Sequence, residues 1–330
     1  MTRSIAVLGA GNWGTTLAHL AAINGHSVAL WSRSTAQCDE INDRRTNARA
    51  TGELVVARGV RATTDLRQAI ASAELVVFVV PSQAFREVAR AAGDHLAPEQ
   101  LVLHATKGLE LRTHARMSTI LEEETCVRQL GVLAGPNIAA EIGRGEPAGT
   151  TVTTSFPRVF SRAREVFASR RFVVFPGDDV LGVELCSALK NVVAIAAGMA
   201  TGLGMGENAK ALLVTRGMTE IARIALSHGA DRATFHGLAG IGDLVVTCAS
   251  AQSRNHRVGV AIAKGESLPH VLERLGMVAE GVHASVAARE LAAARGIDAP
   301  LLGRVHRVLH EGLAVEQALD ELMLLPTGPA

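Results

Sequence analysis

The sequence predicts an α/β fold in which an N-terminal doubly wound domain, residues 1–180, is followed by an all-α C-terminal domain, residues 181–330. Two observations support this prediction. Strand-like and helix-like segments alternate through the first half, which is the rhythm of a parallel sheet covered by helices on both faces. The alternation stops near "FPGDDV", and no convincing strand pattern follows Asp178.

The alternation begins with "SIAVLG", a predicted strand, and "NWGTTLAHLAAING", a predicted helix. A second strand, "HSVALW", is followed by a polar helix from Thr35. The apolar run "ELVVFVV", residues 74–80, is typical of a parallel strand buried on both faces, and the helix "QAFREVARAAG" follows it. Four further strands are predicted at "LVLHAT", "GVLAGP", "AGTTVTTS" and "RFVVFP". Helices are predicted in the C-terminal domain at residues 183–200, 207–228, 256–264, 282–295 and 299–310.

Composition excludes several classes of protein. A chain of 330 residues with 48% hydrophobic residues can bury the cores of about two domains. A net charge of +1 gives no electrostatic reason to expect nucleic acid or an anionic membrane as partner. The four cysteines are far apart and the twelve histidines lack metal-ligand spacing, so we expect a reduced protein without a metal site.

The expected location is the cytoplasm. The first strand pattern begins at Ser4, so no signal peptide is expected, and no uninterrupted apolar run reaches the roughly 18 residues of a membrane-spanning helix.

A glycine-rich turn follows the first predicted strand. Gly9, Gly11 and Gly14 form a G-x-G-x-x-G pattern that ends a strand and opens a helix, the context in which this motif binds dinucleotides. Gly9 permits the tight turn, Gly11 lets a pyrophosphate approach the backbone, and Gly14 lets the helix pack closely on the strand. The alternative is a turn in which the glycines are only structural.

The end of the second strand, "ALWSRS", bears on the choice of cofactor. A strict NAD site places an acid there to bind the ribose 2′-hydroxyl, whereas here Arg33 takes the position and the first acid is Asp39. A guanidinium suits a 2′-phosphate, so we predict that NADPH is accepted alongside NADH. The alternative is a solvated surface arginine.

Lys190 is the only charged residue between Glu184 and Glu207, in a stretch that otherwise looks made for burial. Only four of the 33 basic residues are lysines, so the positions that keep one are candidates for needing an ammonium that can lose its proton. An apolar setting would lower the pKa of Lys190 and suit it to proton transfer. Asn191 beside it can position a substrate or the amine, and Asp243, in "GIGDL", can form a buried ion pair with Lys190. The alternatives are an accidental lysine at 190 and a helix N-cap at 243.

The motifs "GAGNWGTTLA", "ATKGLE", "AGPNIAAEI", "ALKNVVAIAAGMATGLGMGENAKALL", "GLAGIGDLVVTC", "SRN" and "AEG" occur in the order seen in the NAD(P)-dependent glycerol-3-phosphate dehydrogenase family, which the sequence closely resembles over nearly its whole length. The resemblance implies reduction of dihydroxyacetone phosphate to sn-glycerol 3-phosphate, the precursor of the phospholipid backbone. It also implies a homodimer.

The resemblance implies a role for each matching residue. Lys190 matches the proton donor and acceptor. Lys107 matches a lysine that contacts both cofactor and substrate. The other substrate-site positions are Gly135, Asn137, Asp243, Thr247 and the phosphate loop Ser253, Arg254 and Asn255. The other cofactor contacts are Asn12, Trp13, Arg33, Ala139, Arg254, Val278 and Glu280.

Two features qualify or support this match. At position 137 bacterial members of the family carry serine, so "GPNIA" is closer to the eukaryotic form. The "SRN" loop supplies a guanidinium, a hydroxyl and turn N–H groups, the donors that a phosphate dianion requires. The alternative for "SRN" is a helix N-cap with a surface arginine.

Two other functions remain open at this level. One is a different reductase of the same two-domain plan, of β-hydroxyacid or ketopantoate type, although those substrates lack the phosphate that "SRN" suits. The other is a non-catalytic NAD(P)H sensor, which would not need Lys190.

Overall fold

The computed structural model describes residues 1–275 and 279–324. It divides into two compact units: the first contains residues 1–106 and 117–180, and the second contains residues 107–116 and 181–330. The sequence-based boundary at 180 therefore differs in one respect, since the short segment 107–116 belongs with the second unit.

The first unit is built on one eight-stranded sheet. Its strands are β1 (Ser4–Leu8), β2 (Ser27–Trp31), β3 (Val60–Thr63), β4 (Leu75–Phe78), β5 (Leu101–His104), β6 (Gln129–Ala134), β7 (Ala148–Thr153) and β8 (Phe172–Gly177). The order is β3-β2-β1-β4-β5-β6-β7-β8, and every pairing is parallel except that of β6 with β7. The chain thus winds outward in both directions from β1 and β4, which confirms the doubly wound prediction.

Helices and turns connect these strands. They are α1 (Asn12–Ile23), α2 (Thr35–Asp39), a π-helical turn (Glu40–Arg44), α3 (Ala48–Thr51), α4 (Leu66–Ile70), α5 (Ser82–Gly93), α6 (Met117–Glu124), α7 (Ala139–Gly143) and α8 (Pro157–Phe167). The register sets Leu8 beside Trp31 and Phe78, so the carboxyl ends of β1, β2 and β4 lie together at one edge of the sheet.

The described residues of the second unit form helices and turns and no strand. The helices are α9 (Val180–Gly202), α10 (Glu207–Ser227), α11 (Asp243–Ala249), α12 (Arg254–Ala263), α13 (Leu268–Leu275), α14 (Glu280–Ala294), α15 (Pro300–His310) and α16 (Val315–Leu324), with a 3-10 turn (Arg232–His236) and a π-helical turn (Leu238–Gly242) before α11.

Helix α9 is the centre of the second unit. Residues 182–200 are all buried, as expected for a helix that is apolar on every side. By length and hydropathy α9 would suffice to cross a membrane, yet 89% of its most apolar window is covered by this chain. Its contact with α12 is backbone-close: a Cβ on Gly198 would lie 2.1 Å from the His256 carbonyl oxygen, and one on Gly259 would lie 2.0 Å from that of Ile195. This crossing seats the start of α12 against α9.

Candidate active site

The glycine-rich turn between β1 and α1 has the shape that a dinucleotide pyrophosphate requires. Gly9 has φ +119°, and a Cβ there would lie 2.4 Å from the carbonyl oxygen of Val79. A Cβ on Gly14 would lie 1.9 Å from the carbonyl oxygen of Gly9, whereas one on Gly11 would meet nothing within 4 Å. Two of the glycines are thus demanded by packing. The third leaves the backbone open beside the N-terminus of α1, where no side chain caps the helix.

Arg33 lies on the same edge of the sheet. It is exposed and follows the carboxyl end of β2, whose Trp31 carbonyl accepts the N–H of Gly9 at 3.0 Å. Asp39 lies further along, at the end of α2. Asn12 and Trp13 open α1, and Trp13 packs partly against the core. The glycine-rich turn therefore fits a dinucleotide, and a cation, Arg33, follows the neighbouring strand end.

Gly135, Asn137 and Ala139 follow the carboxyl end of β6. Gly135 has φ +153°, and a Cβ there would lie 3.2 Å from Cα of Thr150. The Asn137 side chain ties this loop to β7, because it donates to the Gly149 carbonyl at 3.3 Å and accepts from the Thr150 hydroxyl at 3.0 Å. Ala139 begins α7.

In the second unit, two lysines share one buried carboxylate. Lys190 Nζ lies 2.8 Å from Asp243 Oδ1, and Lys107 Nζ lies 2.6 Å from Oδ2 of the same residue. The side chains of Lys190 and Asp243 are each 3% exposed, against 24% for Lys107. The expected Lys190–Asp243 pair is present, and Gly242 rather than Asp243 occupies the N-cap of α11. With both ammonium groups protonated the cluster carries a net charge of +1, which suits an anionic ligand.

Charge and burial act against each other on these groups. Burial alone would raise the pKa of Asp243, but the ammonium groups of Lys107 and Lys190 hold it below its ordinary value. Burial lowers the pKa of Lys107 to about 8, although Asp243 opposes that shift. Lys107 is therefore an ammonium that loses its proton within reach of physiological pH.

Thr247 completes the setting of Lys190. Asp243 and Thr247 are four residues apart on one face of α11, and the Thr247 hydroxyl accepts from Lys190 Nζ while donating to the Asp243 carbonyl. Two cysteines that sequence reasoning did not select, Cys186 and Cys248, border this group. Burial raises the pKa of each thiol to about 12, so both remain neutral beside the charges. Their positions, four residues before Lys190 and directly after Thr247, were the signal available in the sequence.

The "SRN" residues form the start of α12. Ser253 is the N-cap and accepts the N–H of His256 at 3.3 Å, Arg254 is exposed, and Asn255 is buried. Asn255 Nδ2 donates to Asn191 Oδ1 at 2.9 Å, so this loop is tied to the neighbour of Lys190. Glu280 begins α14, and its negative charge attracts the Arg254 guanidinium. Val278 lies outside the described residues.

The predicted residues that the structure describes are divided between the two units. The first unit carries Gly9, Gly11, Asn12, Trp13, Gly14, Arg33, Gly135, Asn137 and Ala139. The second carries Lys107, Lys190, Asn191, Asp243, Thr247, Ser253, Arg254, Asn255 and Glu280. Their individual roles toward ligands stay predictions. No group of three or more His, Cys, Asp or Glu side chains suited to a metal occurs within residues 1–275 and 279–324.

Comparison with known proteins gives a consistent result over the full chain. Residues 4–159 match the family model described as the NAD-dependent glycerol-3-phosphate dehydrogenase N-terminus, and residues 179–320 match the model of its C-terminus. A glycerol-3-phosphate dehydrogenase [NAD(P)+] of Enterococcus faecalis is 42% identical over 98% of this chain and 96% of its own length. One from Moorella thermoacetica is 43% identical, covering 99% and 97%.

Solved structures agree with these matches. The crystal structure of a glycerol-3-phosphate dehydrogenase from Coxiella burnetii superimposes with a TM-score of 0.94 at 34% identity, covering 98% of this chain and 99% of its own. A PanE/ApbA family ketopantoate reductase from Ralstonia eutropha covers 97% and 99% with a TM-score of 0.60 at 20% identity, a likeness of fold alone.

Proposed function

The chain belongs to the NAD-dependent glycerol-3-phosphate dehydrogenase family, and from this premise we propose that it catalyses the reversible reduction of dihydroxyacetone phosphate to sn-glycerol 3-phosphate with NADPH or NADH. The observation that best supports the proposal is the buried carboxylate of Asp243 with a lysine on each oxygen. Such a cluster combines a proton carrier with a net positive charge, and the substrate needs both.

Lys190 is the proposed proton carrier. Reduction of the ketone adds a hydride to carbon and a proton to oxygen, and the bound nicotinamide supplies the hydride. Lys190 Nζ gives the proton to the ketone oxygen and recovers one from solvent. In the reverse direction it takes the proton of the hydroxyl. Asp243 and Thr247 hold Nζ in place, so the amine reaches the substrate in one orientation.

The start of α12 is the proposed phosphate site. Ser253 is the N-cap and Arg254 the first residue of this helix, whose positive end would stabilise a phosphate through direct hydrogen bonds and the helix dipole. Lys107 adds a second cation. These contacts would distinguish dihydroxyacetone phosphate from ketones that lack the phosphate.

Arg33 is the proposed reader of the 2′-phosphate of NADPH. From its membership of the family we also propose that the protein works in the cytoplasm as a homodimer and supplies glycerol 3-phosphate to phospholipid synthesis. Sedimentation would measure the oligomeric state directly.

The proposal is tested by following NADPH oxidation with a panel of ketones. We expect turnover with dihydroxyacetone phosphate and little with ketopantoate or simple β-keto acids. Reduction of an unphosphorylated keto acid as the preferred substrate would favour the alternative reductase. Binding of NADPH without turnover of any ketone would favour a sensor.

A further inference from the structure

Three helices of the second unit are joined by a chain of amide hydrogen bonds beside Lys190. The N–H of Gly281, at the start of α14, donates to Asn255 Oδ1 on α12 at 3.0 Å. Asn255 Nδ2 donates to Asn191 Oδ1 on α9 at 2.9 Å, and Asn191 Nδ2 donates to the Ser187 carbonyl at 3.2 Å. Both asparagines are buried, with exposed fractions of 5% for Asn191 and 8% for Asn255.

Backbone groups at the two ends determine the direction of this chain. A side-chain amide has an oxygen end that accepts and a nitrogen end that donates. The Gly281 N–H can only donate, so the oxygen of Asn255 must face it and its nitrogen must face Asn191. The Ser187 carbonyl can only accept, so Asn191 must turn its nitrogen to it. Reversing either amide would set two donors or two acceptors against each other, at the cost of buried polar groups without partners.

A side chain at position 281 would disturb this chain of hydrogen bonds. A Cβ there would lie 2.6 Å from the Asn191 carbonyl oxygen, 2.8 Å from Asn255 Oδ1 and 2.8 Å from Ile195 Cδ1. Glycine therefore lets α14 approach α9 and α12 closely enough for the Gly281 N–H, one of the free N–H groups of its first turn, to be used between helices.

We propose that Gly281 is a positioning residue: its N–H fixes the orientation of Asn255, and through Asn255 that of Asn191, so that the amide next to Lys190 is preset for the substrate ketone. The inference rests on the proposed function. The Asn191 amide nitrogen has two hydrogens and uses one within the chain, so Asn191 keeps an N–H for the ketone oxygen of the substrate.

The substitution that tests this is Asn255→Asp, which is nearly isosteric. The new carboxylate still accepts the Gly281 N–H but offers no donor to Asn191, so the Asn191 amide turns over and loses Ser187. A carboxylate at 255 also repels a phosphate, and therefore the informative substrate is unphosphorylated dihydroxyacetone. We expect kcat/KM for dihydroxyacetone to fall about 3- to 30-fold. In a protein that already carries Asn191→Ala, adding Asn255→Asp should cause no comparable further loss.

Glycine variants give a second, matched test. Gly281→Ala should reduce kcat/KM for dihydroxyacetone to a similar extent. Gly303→Ala is the control, because a Cβ at this position in α15 would meet nothing within 4 Å. Full activity of Gly281→Ala toward dihydroxyacetone would overturn the proposal. So would an equal loss from Asn255→Asp with and without the Asn191 side chain.

The chain can also be tested without turnover. The unfolding equilibrium constants of Asn255→Asp, Asn191→Ala and the double variant should show a coupling factor of about 2- to 150-fold, since the side chains are in contact. If the unmodified enzyme does not reduce dihydroxyacetone phosphate, the proposed function fails, while this cycle still measures the coupling between Asn255 and Asn191. A coupling factor of one would reject the hydrogen-bond chain itself, whatever the enzyme reduces.

Discussion

Lys190 is tolerated inside an apolar helix because its charge is neutralised and hydrogen-bonded where it is buried. An isolated ammonium in a protein interior costs several kcal/mol, but here Asp243 and Thr247 both accept from Nζ. The pairing of Lys190 with Asp243 could be predicted from one sequence, since each was an unexplained charge among apolar or glycine-rich neighbours. The second ion pair on the same carboxylate, between Lys107 and Asp243, could not be predicted from the sequence pattern, because 136 residues separate the two.

The role of Lys190 is tested with one variant that removes the ionisable amine and one that keeps a permanent positive charge. Lys190→Met should leave NADPH binding intact but lower kcat roughly 10²- to 10⁴-fold, the usual contribution of a general acid or base. Asp243 keeps Lys107 as a partner in this variant, so the fold should survive. Lys190→Arg should fail as well, because arginine does not release its proton. If steady-state kinetics gave a near-normal kcat for either variant, Lys190 would not be the proton carrier.

Lys107 predicts a pH dependence. Its ammonium is charged below a pKa of about 8 and neutral above it, so its attraction for a phosphorylated substrate is present at low pH and lost as the pH rises through 8. We expect kcat/KM for dihydroxyacetone phosphate to decline across that range. In Lys107→Arg the decline should move to higher pH, because a guanidinium stays charged. An unchanged profile for the arginine variant would assign the ionisation to another group.

At the scale of secondary-structure elements, prediction succeeded where the pattern was long and regular. The long helices α9 and α10 and the apolar strand β4 were predicted within a few residues. Strand β3 was missed because it is four residues long and alternates with arginine and threonine. Helix α11 was not among the predicted helices, although a helix N-cap at 243 was the alternative, because "DLVVTCA" is rich in β-branched residues.

Helices α10 and α15 are joined by a buried carboxylate that no sequence pattern announced. Glu220 accepts the N–H groups of Leu301 and Leu302 at 2.8 and 3.0 Å, so it caps α15 from a neighbouring helix. Burial raises its pKa to about 7, in spite of those two hydrogen bonds. The folded protein thus holds a proton at pH values where the unfolded chain has released it.

This shift predicts a stability that falls with rising pH. Between about pH 4.5 and 7 the native state binds more protons at Glu220 than the unfolded state, so the free energy of unfolding decreases by about 3 kcal/mol across the window. Glu220→Gln should remove this component. Urea denaturation of the wild type and of Glu220→Gln at several pH values measures this component as the difference between their free energies of unfolding. The exposed Glu316→Gln on α16 is the control, and a constant difference between wild type and Glu220→Gln would refute the assignment.

At the scale of the whole chain, the sequence predicted the folds of the two domains better than it predicted which residues belong to each domain. The segment 107–116 lies far before residue 180, yet it joins the second unit through three side chains besides Leu109 in the core. Lys107 binds Asp243, His114 Nε2 lies 2.6 Å from Glu290 Oε2, and Arg116 contacts Glu184 at 2.7 Å. All three contacts are long-range, and single-sequence patterns do not report such contacts.

Arg33 follows the carboxyl end of β2 and is not among the substrate-site positions, so we expect that cofactor choice can be altered separately from substrate binding. Arg33→Asp replaces a cation at the end of β2 with an anion, so the KM for NADPH should rise about 10- to 150-fold, while the KM for NADH changes far less. The KM for dihydroxyacetone phosphate should stay near its original value. Equal increases for both cofactors would show that Arg33 does not contact the 2′-phosphate.

Arg254, in the other unit, tests the identity of the substrate. If its guanidinium binds the substrate phosphate, the contact is charge-assisted and contributes on the order of 1.5–3 kcal/mol. Arg254→Ala should then lower kcat/KM for dihydroxyacetone phosphate about 10- to 150-fold but affect unphosphorylated dihydroxyacetone much less. The comparison is decisive because a contact to the cofactor, or general misfolding, would penalise both substrates alike. An equal loss with both substrates would mean that Arg254 serves the cofactor or the fold and that the phosphate is bound elsewhere.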